Sequence, residues 1–162
     1  MRPMRRNRQE LPQDEALLLL REGTSGVLAV LDGVDEPYAV PLSYVYHQDK
    51  IYFHCAREGR KIDAIARHDK VSFCVIAQDQ PLPEKFTTLY RSVIVSGRAR
   101  LITDPDEMRP LLIALGEKYS PGVPGLDQEI ASSLHRVAMI EVTPEHITGK
   151  EAIELTRQRQ PT

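Results

Sequence analysis

The sequence predicts a single, mainly β domain: an antiparallel barrel of six or seven strands with capping helices. Three observations indicate this class. Short segments rich in β-branched and aromatic residues recur from residue 26 onward. The helical segments cap or interrupt this series, which disfavours a doubly wound parallel sheet. The 162 residues, of which 41% are hydrophobic, suffice for one domain with one core.

The first half of the chain is predicted to contain a helix, a β-meander and a second helix. Residues 13–22 carry acidic side chains in the first turn and end at Gly23, which are both helix signals. Strands over 27–31, 38–46 and 51–56 are separated by polar turns. After Gly59, apolar residues three and four positions apart predict a short helix over 60–67.

The second half is predicted to add three strands and two helices. An apolar strand over 71–77 precedes a proline-containing loop over 78–85. The long strand over 88–102 contains Gly97, and a glycine inside a strand is typical of the bulge that barrel closure requires. Asp104 and Pro105 begin a helix that ends near Tyr119. A short helix over 127–134, a last strand over 138–142 and a polar tail over 156–162 complete the prediction.

Charge and composition exclude several classes of function. The formal net charge is −2 and the pI is near 6.2, so tight nonspecific binding of nucleic acid is not expected. The longest apolar run, residues 16–20, is too short to cross a bilayer. The two cysteines form no CxxC pair, and the five histidines lack the short spacings of a metal site. We therefore expect a soluble, cytoplasmic protein with no metal ion and no membrane partner.

Residues 1–10 form a basic arm with four arginines in the first eight positions. A contact with a phosphate-bearing partner and a solvated tail both fit this composition. The tail is favoured, because charge runs at chain termini are usually disordered.

A strand–turn–helix over 52–63 is the most informative segment of the sequence. Arg60 and Lys61 fall in the first helical turn, where the positive end of the helix dipole disfavours cations unless an anion is present. A bound phosphate would accept hydrogen bonds from both side chains and from free backbone N–H groups. The alternative is that both side chains point to water, and this feature alone leaves the two readings equal.

Two further segments offer weaker signals. Pro41 has no N–H group, so its strand belongs at a sheet edge or a bulge, with Ser43 as an added donor. Tyr90 and Ser92 share one face of a strand, as surface residues of any amphipathic strand also do.

His54 beside Cys55 does not indicate a nucleophile pair, because adjacent strand residues face opposite ways. Neither a GxGxxG segment nor a Walker loop is present.

Together, these segments resemble a known family. Their order and spacing are similar to those of the flavin-binding split β-barrels related to pyridoxamine phosphate oxidase, and within them to the nitroimidazole-resistance (Nim-like) branch. The resemblance covers about residues 4–148. It is carried by Met4-Arg5-Arg6, Pro41-Leu42-Ser43-Tyr44, Ile51-Tyr52-Phe53-His54 with Ala56 and Gly59-Arg60-Lys61, Val71-Ser72-Phe73, and Tyr90-Arg91-Ser92-Val93 with Gly97.

The resemblance implies a homodimer with two flavin mononucleotide (FMN) sites at the subunit interface, with FAD kept open. It implies that Arg60 and Lys61 bind the phosphate and that His54 is the catalytic residue, which orients a substrate or donates a proton. The other residues that it assigns to the flavin are Pro41, Leu42, Ser43 and Tyr44 along the ring, Phe53 beside it, and Tyr90, Ser92 and Val93 near it.

Two positions depart from the family pattern. Many relatives have glycine where this chain has Cys55, which alters the space beside His54. The C-terminus lacks the histidine-containing motif with which true pyridoxamine phosphate oxidases bind their substrate, so vitamin B6 oxidation is disfavoured.

The resemblance therefore implies an oxidoreductase that passes electrons from NAD(P)H to a small acceptor, with nitro-aromatic compounds as one class. The alternative is a non-catalytic flavin- or haem-binding protein on the same barrel.

Overall fold

The computed structural model describes residues 4–159. One sheet of seven strands dominates it, and all of its pairs are antiparallel. The strands are β1 (Ser25–Asp32), β2 (Glu36–Ser43), β3 (Val45–His47), β4 (Lys50–Ala56), β5 (Lys70–Leu82), β6 (Thr87–Ile102) and β7 (Val137–Glu151). The helices are α1 (Gln13–Glu22), α2 (Arg60–Arg67), α3 (Pro105–Tyr119), α4 (Leu126–Ser133) and α5 (Ile153–Arg159). The predicted mainly β class with antiparallel strands is confirmed.

The sheet curls into a barrel that is split between two consecutive strands. Its strand order is β2-β1-β5-β6-β7-β4-β3, so β2 and β3 are the two edges. Tyr44 alone separates them in the sequence. The single strand predicted over 38–46 is therefore wrong, because the chain leaves one edge of the sheet at Ser43 and joins the other edge at Val45. The expected edge position of Pro41 is confirmed, since β2 pairs only with β1 within residues 4–159.

Two predicted boundaries in the second half differ from the structure. The loop over 78–85 is wrong: β5 continues to Leu82 and a 3-10 turn follows it, because the segment pairs with β6 despite its prolines. The last strand, β7, extends past residue 142 to Glu151 along β6. The bend expected at Gly97 is confirmed by a register shift between Ser96 and Gly97, where the backbone of Thr143 leaves no room for a side chain.

The chain ends also differ from expectation. The polar tail expected from residue 156 is instead part of helix α5 up to Arg159, with Thr156 buried, and residues 160–162 lie outside the described part. At the other end, residues 1–3 of the basic arm are outside the description. Gln9 is buried and donates its side-chain N–H to the carbonyl oxygen of Glu151 at 3.1 Å. The two ends are therefore packed against each other.

The interior of the barrel forms the main core. Alternate residues of each strand point inward, as the period of two requires, and the rings of Tyr44, Phe53 and Phe73 meet there. The Phe73 centroid lies 4.9 Å from that of Tyr44 and 5.0 Å from that of Phe53.

A second, smaller core lies on the outer face of the sheet. There α3 and α4 cover a group of strand side chains that includes Tyr52, Ile102 and Met139. Because α3 and α4 stand on this part of the outer face, a cleft lies between them and β4.

Candidate functional site

A cleft of about 620 Å³ opens between β4 and the helices α3 and α4. Its apolar wall comes from the helices, and strand β4 supplies the side chains of its floor. The lining includes His54, Ser43, Tyr119, Leu112, Leu115 and Ile130. Glu129, Ser133 and Arg136 add polar groups from α4 and the segment after it. An apolar cavity with a few convergent polar groups is typical of a small-molecule site.

His54 is exposed to this cleft because of its position on β4. Phe53 and Cys55 point into the barrel, so His54 between them points outward. The ladder between β3 and β4 ends at the pair Val45–Tyr52. Ser43, the last residue of β2, lies two positions before Val45, His54 lies two positions after Tyr52, and both line the cleft. The split in the barrel thus brings these two predicted site residues together.

Tyr44 occupies the split and is held there by Tyr119 of α3. The Tyr44 N–H donates to the Tyr119 hydroxyl at 2.9 Å, and that hydroxyl lies 2.9 Å from the Tyr44 carbonyl oxygen. It also contacts the carbonyl oxygen of Thr24. The Tyr44 side chain is fully buried and donates to the Leu20 carbonyl oxygen at 2.6 Å. Tyr119 therefore satisfies the backbone N–H group of Tyr44 and lies within donor distance of its carbonyl oxygen.

The two basic residues of the predicted anion site at the start of α2, Arg60 and Lys61, have different surroundings. Arg60 donates to Asp32 at 2.5 Å and to Glu36 at 3.1 Å, both in the β1–β2 hairpin, and its guanidinium lies 4.4 Å from the centroid of the Tyr38 ring. The hydrogen bond and charge of Arg60 lower the pKa of Asp32. The electrostatic conflict at this helix start is thus relieved for Arg60 by carboxylates of the chain itself.

Lys61, the next residue, has no such partner. It is half-buried, and no carboxylate of residues 4–159 forms an ion pair with it. Its charge acts on the neighbouring Cys55, where burial nevertheless raises the pKa of the thiol. Cys55 therefore stays a neutral thiol at neutral pH, with its sulfur 3.6 Å from the Ala138 carbonyl oxygen.

Two other predicted residues have side chains that point into the barrel, away from the cleft. Phe53 lies inside the barrel with no exposed surface, so only its backbone can face a ligand in the cleft. Leu42 points inward and packs partly against the main core. Pro41, by contrast, is exposed on the outer face of β2.

Tyr90, Ser92 and Val93 lie at the other end of the sheet from His54. The ladders align His54 with Met139, and Met139 with Ile102. Ser92 is ten positions from Ile102 on β6, which corresponds to about 33 Å of strand. Val93 is fully buried, whereas Tyr90 and Ser92 are half-buried on the outer face. One chain therefore does not bring these three residues to the cleft.

Sequence reasoning missed the contribution of α3 and α4. Leu112, Leu115, Ile130 and Tyr119 read as an ordinary amphipathic pattern, and such a pattern does not say which strands it covers. Only the position of Tyr119 at the end of a helix, next to Lys118, departs from a simple apolar stripe.

The strand order and the helix-covered cleft beside the split define a class: antiparallel split β-barrels with a cleft on the outer face of the sheet. The chain belongs to the pyridoxamine 5'-phosphate oxidase family, whose family model matches residues 12–151. The resemblance found in the sequence is thereby confirmed. None of the curated proteins matches the chain.

Solved structures support the same fold. A candidate 5-nitroimidazole antibiotic resistance protein from Bacteroides thetaiotaomicron has a TM-score of 0.73 at 20% identity, over 88% of this chain and 86% of its own. A conserved hypothetical protein from Mycobacterium tuberculosis has a TM-score of 0.80 at 14% identity, over 99% and 95%. The flavocytochrome Anf3 from Azotobacter vinelandii has a TM-score of 0.75 at 19% identity, over 93% and 72%.

The described helices are also informative about membranes. Among residues 4–159, no helix has the length and apolar character needed to span a bilayer.

Proposed function

We propose that the protein is a homodimeric flavin oxidoreductase that binds FMN and passes electrons from NAD(P)H to a small acceptor. The observation that carries this proposal is the cleft of about 620 Å³, in which outward-facing His54 and Ser43 meet an apolar helical wall. A flavin would supply the two-electron chemistry, and the protein would supply binding, orientation and exclusion of water.

The cleft fits the ring of a flavin in its chemistry. Leu112, Leu115 and Ile130 offer an apolar surface for a flat aromatic system. The Ser43 hydroxyl and the His54 imidazole stand together on one side, where they can bond the polar edge of such a ring. The flavocytochrome among the structural neighbours supports a flavin on this fold.

For the phosphate of FMN we propose Lys61 as the principal ligand. Its ammonium group has no carboxylate partner in the described chain, and it follows Gly59, whose φ of 136° opens the turn before α2. Arg60 is a weaker candidate, because Asp32 and Glu36 already neutralise its charge. A phosphate would compete with these two carboxylates for Arg60 but would meet no such competitor at Lys61.

His54 would act on the acceptor. An exposed imidazole on a rigid strand can orient a substrate by hydrogen bonding or hold a proton for it. The nitroimidazole-resistance neighbour supports nitro-aromatic compounds as one class of acceptor, and their flat, apolar rings suit the same wall of the cleft.

The outer face of the sheet supports the homodimer. Val27, Cys74 and Ile94 form one row across β1, β5 and β6, and Ile76 lies beside that row. Of these, Val27 is 36%, Ile94 46% and Ile76 66% exposed. Such an apolar patch on a sheet is typical of an interface, and Ser92 lies within it. A partner that covers this patch would complete the site with residues that one chain keeps away from its own cleft.

The absorption spectrum of the purified protein tests the proposal. We expect a yellow protein with flavin bands, or uptake of added FMN by the colourless protein. Oxidation of NADH and NADPH should then depend on an added nitro-aromatic acceptor. A protein that takes up neither FMN nor FAD would refute the flavin, and a flavin-loaded protein without NAD(P)H oxidation would refute the enzyme.

A second candidate is a non-catalytic flavin- or haem-binding protein. The observation that favours it is the single exposed histidine in an apolar cleft, because an imidazole can ligate haem iron. A Soret band that appears on haem addition and is lost in His54→Ala would support it.

A cytoplasmic location remains part of the proposal. Cys55 and Cys74 are free thiols, as is typical of a reducing compartment.

A further inference from the structure

A β-hairpin arm extends from the sheet between Ile76 and Ser92. None of its residues is buried, although β5 and β6 stay paired from Gln78–Arg91 to Leu82–Thr87. A register shift between Ile76 and Gln78 marks its base, and such bulges redirect a strand. The arm contacts the rest of the described chain at the Thr87 hydroxyl, which donates to Glu154 at 3.1 Å, and at the Tyr90 carbonyl oxygen, which accepts from the Ala152 N–H at 2.9 Å, while Phe86 stays fully exposed.

Phe86 lies at the tip of the arm, and both its exposure and its backbone conformation are unusual. Its side chain is 99% exposed, and its backbone is left-handed, with φ 51° and ψ 38°. Bulky residues rarely adopt this region. A fully solvated aromatic side chain gains no burial energy, and the backbone of this residue is also strained. The combination indicates a contact that a single chain does not provide.

The arm cannot reach the cleft of its own chain. Phe86 precedes β6 at one end, whereas Ile102 ends β6 level with His54. Ile94 lies eight positions from each of them, in the middle of the apolar row on the outer face. A two-fold axis that lies in the plane of the outer face at Ile94, perpendicular to β6, would therefore bring residue 86 of one chain level with Ile102 of the other.

We propose that the arm of a second copy of this chain crosses the outer face and that the partner's Phe86 covers the mouth of the cleft beside His54. This inference rests on the homodimer of the proposed function. The apolar wall of Leu112, Leu115 and Ile130 supplies the burial that an exposed phenylalanine lacks. Each site is then completed by its partner, and Phe86 limits the size of the acceptor that can enter.

A tryptophan probe tests this arrangement, because the chain contains no tryptophan. Phe86→Trp introduces one fluorophore at the arm tip. The matched control is Val34→Trp, since Val34 is 95% exposed at the tip of the β1–β2 hairpin. Both variants are studied without flavin, by emission spectroscopy over a dilution series with the oligomeric state followed by sedimentation.

In the dimer we expect blue-shifted emission from Phe86→Trp and solvent-like emission from Val34→Trp. Dilution to monomers should return the Phe86→Trp emission to the solvent value. Ile94→Asp, which places a charge in the middle of the outer face, should do the same at high concentration. Solvent-like emission from a dimer, or blue-shifted emission from a monomer, would overturn the proposal.

These outcomes are distinct from a failure of the proposed function. A chain that stays monomeric at all concentrations would refute the arm crossing and the homodimer together, yet it would leave flavin uptake to be decided by the absorption spectrum. Added FMN should quench the Phe86→Trp emission more strongly than the Val34→Trp emission, because the flavin would lie beneath the arm tip.

Discussion

Replacement of Tyr119 by Phe removes one hydroxyl from the place where the barrel splits. That hydroxyl accepts a hydrogen bond from the Tyr44 N–H at 2.9 Å and lies within donor distance of the carbonyl oxygens of Tyr44 and Thr24. One hydroxyl has one proton, so it satisfies one donor and one of the two acceptors at a time. Two hydrogen bonds at about 1 kcal/mol each, discounted because Tyr119 is 38% exposed, give a loss of about 1.5 kcal/mol in the free energy of unfolding.

For a domain of this length, about 1.5 kcal/mol corresponds to a fall in Tm of about 5 °C. Thermal unfolding followed by circular dichroism measures it. The matched control is Tyr46→Phe, whose hydroxyl donates to the exposed carboxylate of Asp49 at 3.2 Å. That variant should lose less than about 0.5 kcal/mol, as exposed polar contacts usually do. Equal Tm values for the two variants would refute the assignment of Tyr119 as the residue that holds the split.

Three further predictions concern the cleft and the outer face. His54→Ala should lower the turnover per bound flavin with a nitro-aromatic acceptor by about a hundredfold, as loss of a general acid does; unchanged turnover per bound flavin would exclude a role for the imidazole in the reaction. Lys61→Ala should weaken FMN binding about tenfold, as loss of a charge-assisted contact does, and leave riboflavin binding unchanged; equal losses for both ligands in titration calorimetry would place the phosphate elsewhere. Iodoacetamide should modify Cys55 slowly at all protein concentrations, because this thiol is buried and burial raises its pKa. The modification rate of Cys74 should fall only as dimers form. Mass spectrometry that finds Cys74 equally reactive in monomer and dimer would contradict the proposed interface.

Much of the fold could be predicted because local rules determine it. Asp104 accepts a hydrogen bond from the Asp106 N–H at 3.0 Å and Pro105 begins α3, as N-capping requires. The period of two on β4 predicted that His54 and Cys55 face opposite ways, and the structure confirms that they do. Gly97 marks a bulge for which the close approach of another strand gives the reason.

The missed features depend on contacts between distant parts of the chain. The break at Tyr44 follows from barrel closure, since residues 38–46 read as one uninterrupted strand. The strand pairing of residues 78–82 forms despite Pro81, because β6 supplies a partner that the local sequence does not reveal. Likewise, only the three-dimensional structure shows that Asp32 and Glu36 lie beside Arg60 and that no carboxylate of residues 4–159 pairs with Lys61.

A crystal structure of the protein grown with FMN tests the central claim most directly. We expect the flavin ring in the cleft, with its polar edge at His54 and Ser43 and its phosphate at Lys61. A ring bound away from His54, or a phosphate held by Arg60 while Lys61 makes no contact with it, would contradict the account.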